Sequence, residues 1–431
     1  MPVNTPHAGV RTFLQTTEQQ PLIIADMSTI GGAFSAPDCD RDLFPVDTPV
    51  HFTTDDTEMV TAIGATGTLA ETVDAITREG IVASVVAVVP EVPALDDDHD
   101  IDDQMAAIVG SAANKTGLWA LLDAQSETGA EPDLLIAPGF TSQRLGAAAN
   151  PAATAIDALC ERIVTAIGIC DTPSSNKTAA VEWAADFSES MNLVAVGQGA
   201  RYQSGANIVT RPASAAIAAL IARNDKARGA PYYNPGNIAL KGILGPSRSV
   251  QFSIPDPDSE ANFLIQRGVN SLVQITKDRT ARTVNSPQGK TFWGFFNTSS
   301  DPLWRAINVV RTRKAVREVV PRTLVKYAGK NLGVHLVTVL LQAVDDFLGE
   351  LKTLPEPAIL GGQVKWERNL NSNAILRSGG LNVTMNFEEA PPVTDIGVYM
   401  GRYEAAFDLL ADEIEATMQQ YNVRGDFTAA V

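Results

Sequence analysis

IVASVVAVV (residues 81–89) is the stretch on which the fold turns, because it is apolar at every position but Ser84 over the length of one strand. A strand with one face in water alternates apolar and polar residues, whereas a continuous apolar run is covered on both faces. Three further runs have the same length and composition: DLLIAPG (133–139), IGIC (167–170) and MNLVAVG (191–197). Ala-rich stretches with helical character separate them, at 101–113, 151–166, 176–187 and 213–223. Another helix is expected at 68–79, where Thr68 and Glu71 stand at capping-box spacing. Strands buried on both faces and joined by helices specify an α/β fold, a parallel sheet with helices on either side, from about residue 65 to 245.

On either side of that block the texture changes. Residues 1 to about 20 carry GVRTFLQTTEQQ, rich in Thr, Val and Phe without a helical period. They read as an extended arm that cannot bury itself alone, so it is either disordered or adds to another sheet. Beyond about 246 come a turn, helix and short strand (PDPDSEANFLIQRGVNSL, 255–272) and then an aromatic strand, KTFWGFFNTSSDPLW (290–304). Ser300 and Pro302 predict the start of a helix toward 320, with Pro321 interrupting it. The helix expected at 332–353 has the cleanest period in the chain, with Val337, Leu340, Leu341, Val344, Phe347, Leu348 and Leu351 on one face. Strands at 363–368 and 380–387 follow, joined through Gly379 and Gly380, and the Pro-rich break EEAPPVTD precedes an amphipathic stretch at 402–420.

The 431 residues suffice for two or three domains with a substantial core. A formal charge of −17 disfavours phosphate backbones and anionic lipid as partners, so neither nucleic-acid binding nor membrane insertion is expected. No apolar run reaches the ~18 residues of a membrane helix, and MPVNTPHAGVRTF lacks the layout of a signal peptide. Synthesis in a cytoplasm is the expectation. Cys39, Cys160 and Cys170 are too few for a disulfide scaffold and fit reduced thiols. A second reading gives Cys39, in the polar stretch PDCDRD (37–42), a disulfide between subunits, with Asp38, Asp40 and Asp42 opposing that chemistry.

The familiar catalytic motifs are missing from the sequence. The sequence has no G-x-S-x-G, Walker loop, H-E-x-x-H or G-x-G-x-x-G after a strand. GQGARYQSG (197–205) has a displaced third glycine and bulky Arg201 and Tyr202 where a phosphate would sit. Of the four histidines, His7, His51, His99 and His335, only His99 has a faintly triad-like setting, with nearby aspartates and Ser142. PEVPALDDDHDIDD (90–103) holds seven acids and no base, but a calcium loop counted from Asp96 would place Ile101 where Gly is needed and Ala107 where Glu belongs. It reads as a solvated loop. No catalytic, metal or cofactor-binding residue is assigned.

The charge is unevenly distributed. Residues 301–330 carry +6, from Arg305, Arg311, Arg313, Lys314, Arg317, Arg322, Lys326 and Lys330 against Asp301 and Glu318, leaving −23 for the rest. Arg313, Lys314 and Arg317 cluster on one helical side. The segment is either a solvated helix balancing acids of its own molecule or a docking face for an acidic partner.

Taken in order, GVRTFLQTTEQQPLIIAD, DLFPVDTPVHFTT (42–54), GATGTLAETVDAI (64–76), DLLIAPGFTS (133–142) and ILGPSRSVQFSIPDPDSEANFLIQRGVNSL (243–272) resemble the contractile tail sheath proteins of bacteriophages and pyocin-like particles. TFWGFFNTSSDPLWRAINVVRTRKAV (291–316) carries the resemblance most specifically, and LNVTMNFEEAPPVTDI (381–396) extends it. The resemblance implies an N-terminal arm (1–20), a region with a non-proteolytic subtilisin-like α/β domain (21–245), a tube-facing α+β domain (246–402) and a C-terminal helix or arm (403–431). It implies a structural subunit without cofactor that polymerises helically through its terminal arms around a tail tube protein. Baseplate and tail terminator proteins would be further partners, and the place of action a virion tail sheath assembled in the host cytoplasm. Contraction would drive the tube through the target envelope. In that frame Arg311, Arg313, Lys314 and Arg317 are expected to meet an acidic tube, with residues 322–330 as the substitute surface, and strands 363–368 and 380–387 to receive a neighbour's arm. The competing readings are an α/β hydrolase-like enzyme and a non-contractile virion protein.

Overall fold

The computed structural model describes residues 27–96, 99–144, 146–275 and 289–420. The arm expected at 1–20 lies outside the described residues. The described chain divides into a large unit ending at Pro392 and a second unit beginning at Val393.

The expected strands form the centre of a nine-stranded sheet. Its first six strands are β1 (Ile30–Ala33), β2 (Val50–Thr53), β3 (Ser84–Val88), β4 (Leu134–Ile136), β5 (Ile167–Asp171) and β6 (Leu193–Val196). Two hairpin strands follow, β7 (Ala200–Ser204) and β8 (Asn207–Arg211), then the short β9 (Ile238–Ala239) and β10 (Gly245–Pro246). β11 (Val269–Ile275) and β12 (Gly289–Trp293) complete the sheet, in the order β2-β3-β1-β4-β5-β6-β11-β12-β9. From β3 to β11 every pairing is parallel, and antiparallel strands close both margins. Because β11 pairs with β6, the sheet runs straight through the change of texture near residue 246.

The alternation within each strand divides two cores. Ile30, Val85, Ala87, Leu134, Ile136, Ile169 and Val194 face one side, and Val86, Val88, Leu135, Cys170, Leu193 and Ala195 the other. Helices α1 (Thr57–Ala62) and α2 (Thr68–Arg78) precede β3, and α3 (Ile101–Val109) and α4 (Ala124–Thr128) precede β4. α5 (Pro151–Arg162), α6 (Lys177–Ala185), α7 (Ser214–Arg228) and α8 (Glu260–Ile265) complete the cover. α2 and α7 supply the first core through Leu69, Val73, Ile76, Ile217 and Leu220, while α3, α5 and α6 supply the second through Met105, Ile156, Leu159 and Trp183. Each such side chain contributes about 1.5–3 kcal/mol on burial. Gly168 permits the close seating of α5, since a Cβ there would lie 2.3 Å from Ile156 Cγ2.

Two local expectations are corrected. The capping box at Thr68 does not form: Gly67, at φ 95°, is the N-cap, and the Thr68 hydroxyl instead accepts from the Ser35 N–H at 3.0 Å. Glu71 is drawn away to Arg211. A capping box does occur in the acidic stretch read as a solvated loop, where Asp100 and Asp103 bond reciprocally and start α3. GQGARYQSG is the β7–β8 hairpin, with Gly205 in the turn and Tyr202 buried.

Beyond the sheet, α9 (Ile307–Leu324) and α10 (Val334–Thr353) lead to the hairpin of β13 (Ile359–Lys365) and β14 (Thr384–Glu389), with α11 (Asn373–Arg377) in its loop. The hairpin strands begin four residues earlier and later than expected. α10 packs Ala343, Phe347, Leu348 and Leu351 into a third core with Ala358 and Ile359. Among the described residues of the second unit, α12 (Ala405–Gln420) is the only regular element.

Candidate assembly interface

α9 begins at Ile307, seven residues after the expected cap, because the SSDP segment forms a separate turn in which the Asp301 carboxylate accepts from the Leu303 N–H at 2.9 Å. Pro321 does not break the helix, which continues to Leu324. The missing donor would have served the carbonyl of Arg317, an exposed residue whose carbonyl water can satisfy.

The four expected tube-contact cations fare differently. Arg311 is fully buried: its Nη1 and Nη2 donate to the Asp225 carboxylate at 3.0 and 2.6 Å, and Nη2 also donates to the Met27 carbonyl at 3.0 Å. Lys314 is buried too, its Nζ donating to the carbonyls of Cys160 and Ala166 at 3.0 and 2.6 Å. Desolvation holds its pKa below the usual lysine range. The expectation that these two face a tube is therefore corrected, since both charges are spent inside the subunit. Arg313 is half-buried, grips the Glu389 carboxylate with Nη2 at 2.9 Å, and lies over the rings of Phe387 and Trp304 at 4.0 and 5.2 Å. Arg317 alone is exposed.

The exposed positive charge continues past α9. Arg322 reaches Glu318 and Glu131, the latter at 3.1 Å, while Lys326 and Lys330 lie over Tyr327 at 5.3 and 5.0 Å. Arg305 is held inward by Ile265 O and Phe296.

Two other surfaces lack partners. β13 and β14 form a sheet of two strands among the described residues, with Leu360 and Trp366 exposed on it. A two-stranded sheet is marginal alone and stands here because α10 covers one face. In the second unit Val393, Ile396, Val398, Tyr399 and Met400 are exposed, and α12 exposes Phe407, Leu410, Ile414 and Met418 along one helical stripe. Such contiguous apolar exposure marks a binding surface.

The remaining candidates have quieter places. The His99 ring bonds Asp96 Oδ1 at 3.0 Å within its own loop, and Ser142 lies in the bend after Thr141. Cys39 is a half-buried free thiol against the first core. Cys160 and Cys170 are buried, and burial pushes the Cys160 thiol up to about 12. A cleft of about 550 Å³ at the carboxyl ends of β1 and β3 is lined by Ser35, Arg41, Thr66, Glu91 and Gln104.

No family model matches the sequence. Over 294 residues the chain is 31% identical to a prophage major tail sheath protein of Pseudomonas aeruginosa (strain UCBPP-PA14), covering 67% of this chain and 70% of that one. The chain belongs to the tail sheath protein family. It is 24% identical to the tail sheath protein of Escherichia phage P2, across 90% of this chain and 94% of the other. The fold of this sheath subunit also matches the helical sheath of the anti-feeding prophage in its contracted state, with a TM-score of 0.64 at 16% identity, over 92% of this chain and all of that one. The protein is thus a structural subunit of a contractile tail sheath, and the mixed α/β body with its parallel sheet is the sheath fold.

Proposed function

We propose that this sheath subunit polymerises helically around a tail tube and stores, in an extended lattice, the free energy that contraction releases to drive the tube through a target envelope. The observation that carries the reading is the pairing of a self-sufficient body with an open-edged hairpin and an exposed apolar C-terminal segment in one chain. A neighbour's arm, from residues 1–20 or from 403–431, would add to β13 or β14 by main-chain hydrogen bonds, linking subunits in a mesh that survives rearrangement. Functionally the divisions would fall at 1–20, 21–245, 246–402 and 403–431, with a non-proteolytic subtilisin-like portion in the second and the tube-facing part in the third.

For the tube contact, Arg317 keeps its candidacy from the original four, with Arg313 beside it, and Arg322, Lys326 and Lys330 extend the surface. Screened contacts of this kind hold register yet release. Baseplate and terminator proteins would bound the polymer, and a virion tail would be its location after assembly in a host cytoplasm. The role would be non-enzymatic, and a bond between subunits, if the thiols are not simply reduced, would fall to Cys39, the one of the three that is not fully buried. Purified full-length chain, with and without tube protein, should give long helical tubes in negative-stain electron microscopy. Two helical states support contraction, one state favours a non-contractile virion protein, and a persistent monomer sinks the proposal.

A further inference from the structure

Three cations within one turn of α9, Arg311, Arg313 and Lys314, hold three different parts of the molecule. Arg311 bonds the carbonyl of Met27, three residues before β1 on the chain that leads in from the arm. Met27 is buried and sits at φ 46°, a left-handed conformation that a methionine keeps only when its surroundings enforce it. Arg313 holds β14 through the Glu389 carboxylate and the Phe387 carbonyl, and Asn308 adds a 3.0 Å bond to the Ala390 carbonyl. Lys314 ties the same helix to the end of α5 and the start of β5 through Cys160 and Ala166. Met27, Val316, Val319, Phe347, Leu351 and Ile359 then share one apolar cluster, so the approach to β1 and the base of the hairpin are packed together.

We propose that α9 is the coupler of the subunit, with Arg311 and Arg313 as positioning residues that fix the outgoing arm root and the arm-receiving hairpin to one rigid helix. The inference rests on the arm-exchange reading given above. Its consequence is mechanical. If both links of a subunit are fixed to α9, displacement imposed by one neighbour reaches the next through a rigid lever. It also accounts for the +6 segment, part of whose charge serves as internal ties.

Removing Arg311 alone would take the guanidinium from the buried Asp225 carboxylate and destabilise the region, so the test neutralises both partners. Replacing a buried ion pair by apolar residues of similar volume commonly preserves stability. Arg311→Met with Asp225→Leu, in the full-length chain, should melt near the parent temperature. Amide exchange in the peptide 27–33 should accelerate ~10-fold or more, while that of β5 and β6 is unchanged. Tubes assembled from this variant should lose long-range helical order in electron micrographs. Arg311→Lys, which keeps the charge beside Asp225 but lacks the planar fork that reaches Met27 as well, should likewise melt near the parent temperature and leave the exchange at 27–33 fast. Exchange at 27–33 equal to the parent in the double variant overturns the coupler role, whatever the tubes look like. A chain lacking residues 1–20 separates the two ideas: normal tubes from it would sink the arm reading, while the exchange result still decides the role of Arg311.

Discussion

The parallel sheet between β3 and β11 is built from largely apolar strands, whereas β13 and β14 mix in Gln363, Lys365, Thr384, Asn386 and Glu388, and the two treat their edges in opposite ways. In the sheet, each inner strand has a partner on both sides, antiparallel strands cap the margins, and helices cover both faces. In the hairpin, one face rests on α10 and neither outer edge has a partner among the described residues. Edges left open are a liability that natural proteins blunt unless something is meant to pair there. The difference separates residues that stabilise the subunit from residues reserved for the polymer, and substitutions should sort the same way.

The largest expected effect lies in the sheet body. Trp183 is fully buried, stacks on Phe187 and donates Nε1–H to the Thr141 carbonyl at 2.9 Å. Trp183→Ala should cost about 3–5 kcal/mol, read as a lower urea midpoint of the unassembled chain. A loss below about 1 kcal/mol would mean the body is less self-sufficient than the packing indicates.

Arg313→Ala comes next, at the junction of the two regions. It leaves the Glu389 carboxylate nearly buried without its guanidinium, for an expected cost of about 1–3 kcal/mol. Because Arg313 is partly solvated, the lower half of that range is the closer expectation. Proteolysis confined to the hairpin, with the sheet intact, is the pattern that sharpens the contrast; uniform destabilisation would blur it.

A smaller effect follows from pH. Burial raises the Asp133 carboxyl to about 7, against the opposing fields of the Thr29 N–H and Arg311, so the folded chain holds a proton there that the unfolded chain releases near pH 4. The folded state then binds more protons between those values, and this group's contribution to stability falls as pH rises from about 4 to about 7. Asp133→Asn should flatten that portion of the stability curve. An identical slope in parent and variant would show that Asp133 titrates normally.

The strands of the body were legible because periodicity reports burial: the runs at 81–89, 133–139, 167–170 and 191–197 each became a parallel strand. The role of α9 was not, because Arg311 finds Asp225 only through tertiary structure, and a charge on a helix otherwise reads as surface. A signal was present nonetheless. Arg311 stands four residues from Ile307 and from Ala315, and Lys314 four from Val310, so both fall on the apolar side of the helix, where a cation needs partners. The SSDP turn hid the true start of α9, since Asp301 bonds its own turn more readily than it caps a helix six residues on.

The smallest effect on the subunit should accompany one of the largest on assembly. Phe407 and Ile414 are exposed on the apolar stripe of α12, so Phe407→Ser removes no packing that the chain makes in its own described structure. The urea midpoint of the unassembled chain should move by no more than about 0.5 kcal/mol equivalent, the usual range for surface substitutions. Tube formation should need a markedly higher protein concentration, because the serine gives up the apolar area that a neighbouring subunit would cover. The two measurements have to be made on the same variant, since each alone has an ordinary explanation. A lowered midpoint with unaltered assembly would place α12 among the stabilising elements and dissolve the contrast between body and reserve. An unaltered midpoint with impaired assembly leaves only an intermolecular partner for that stripe.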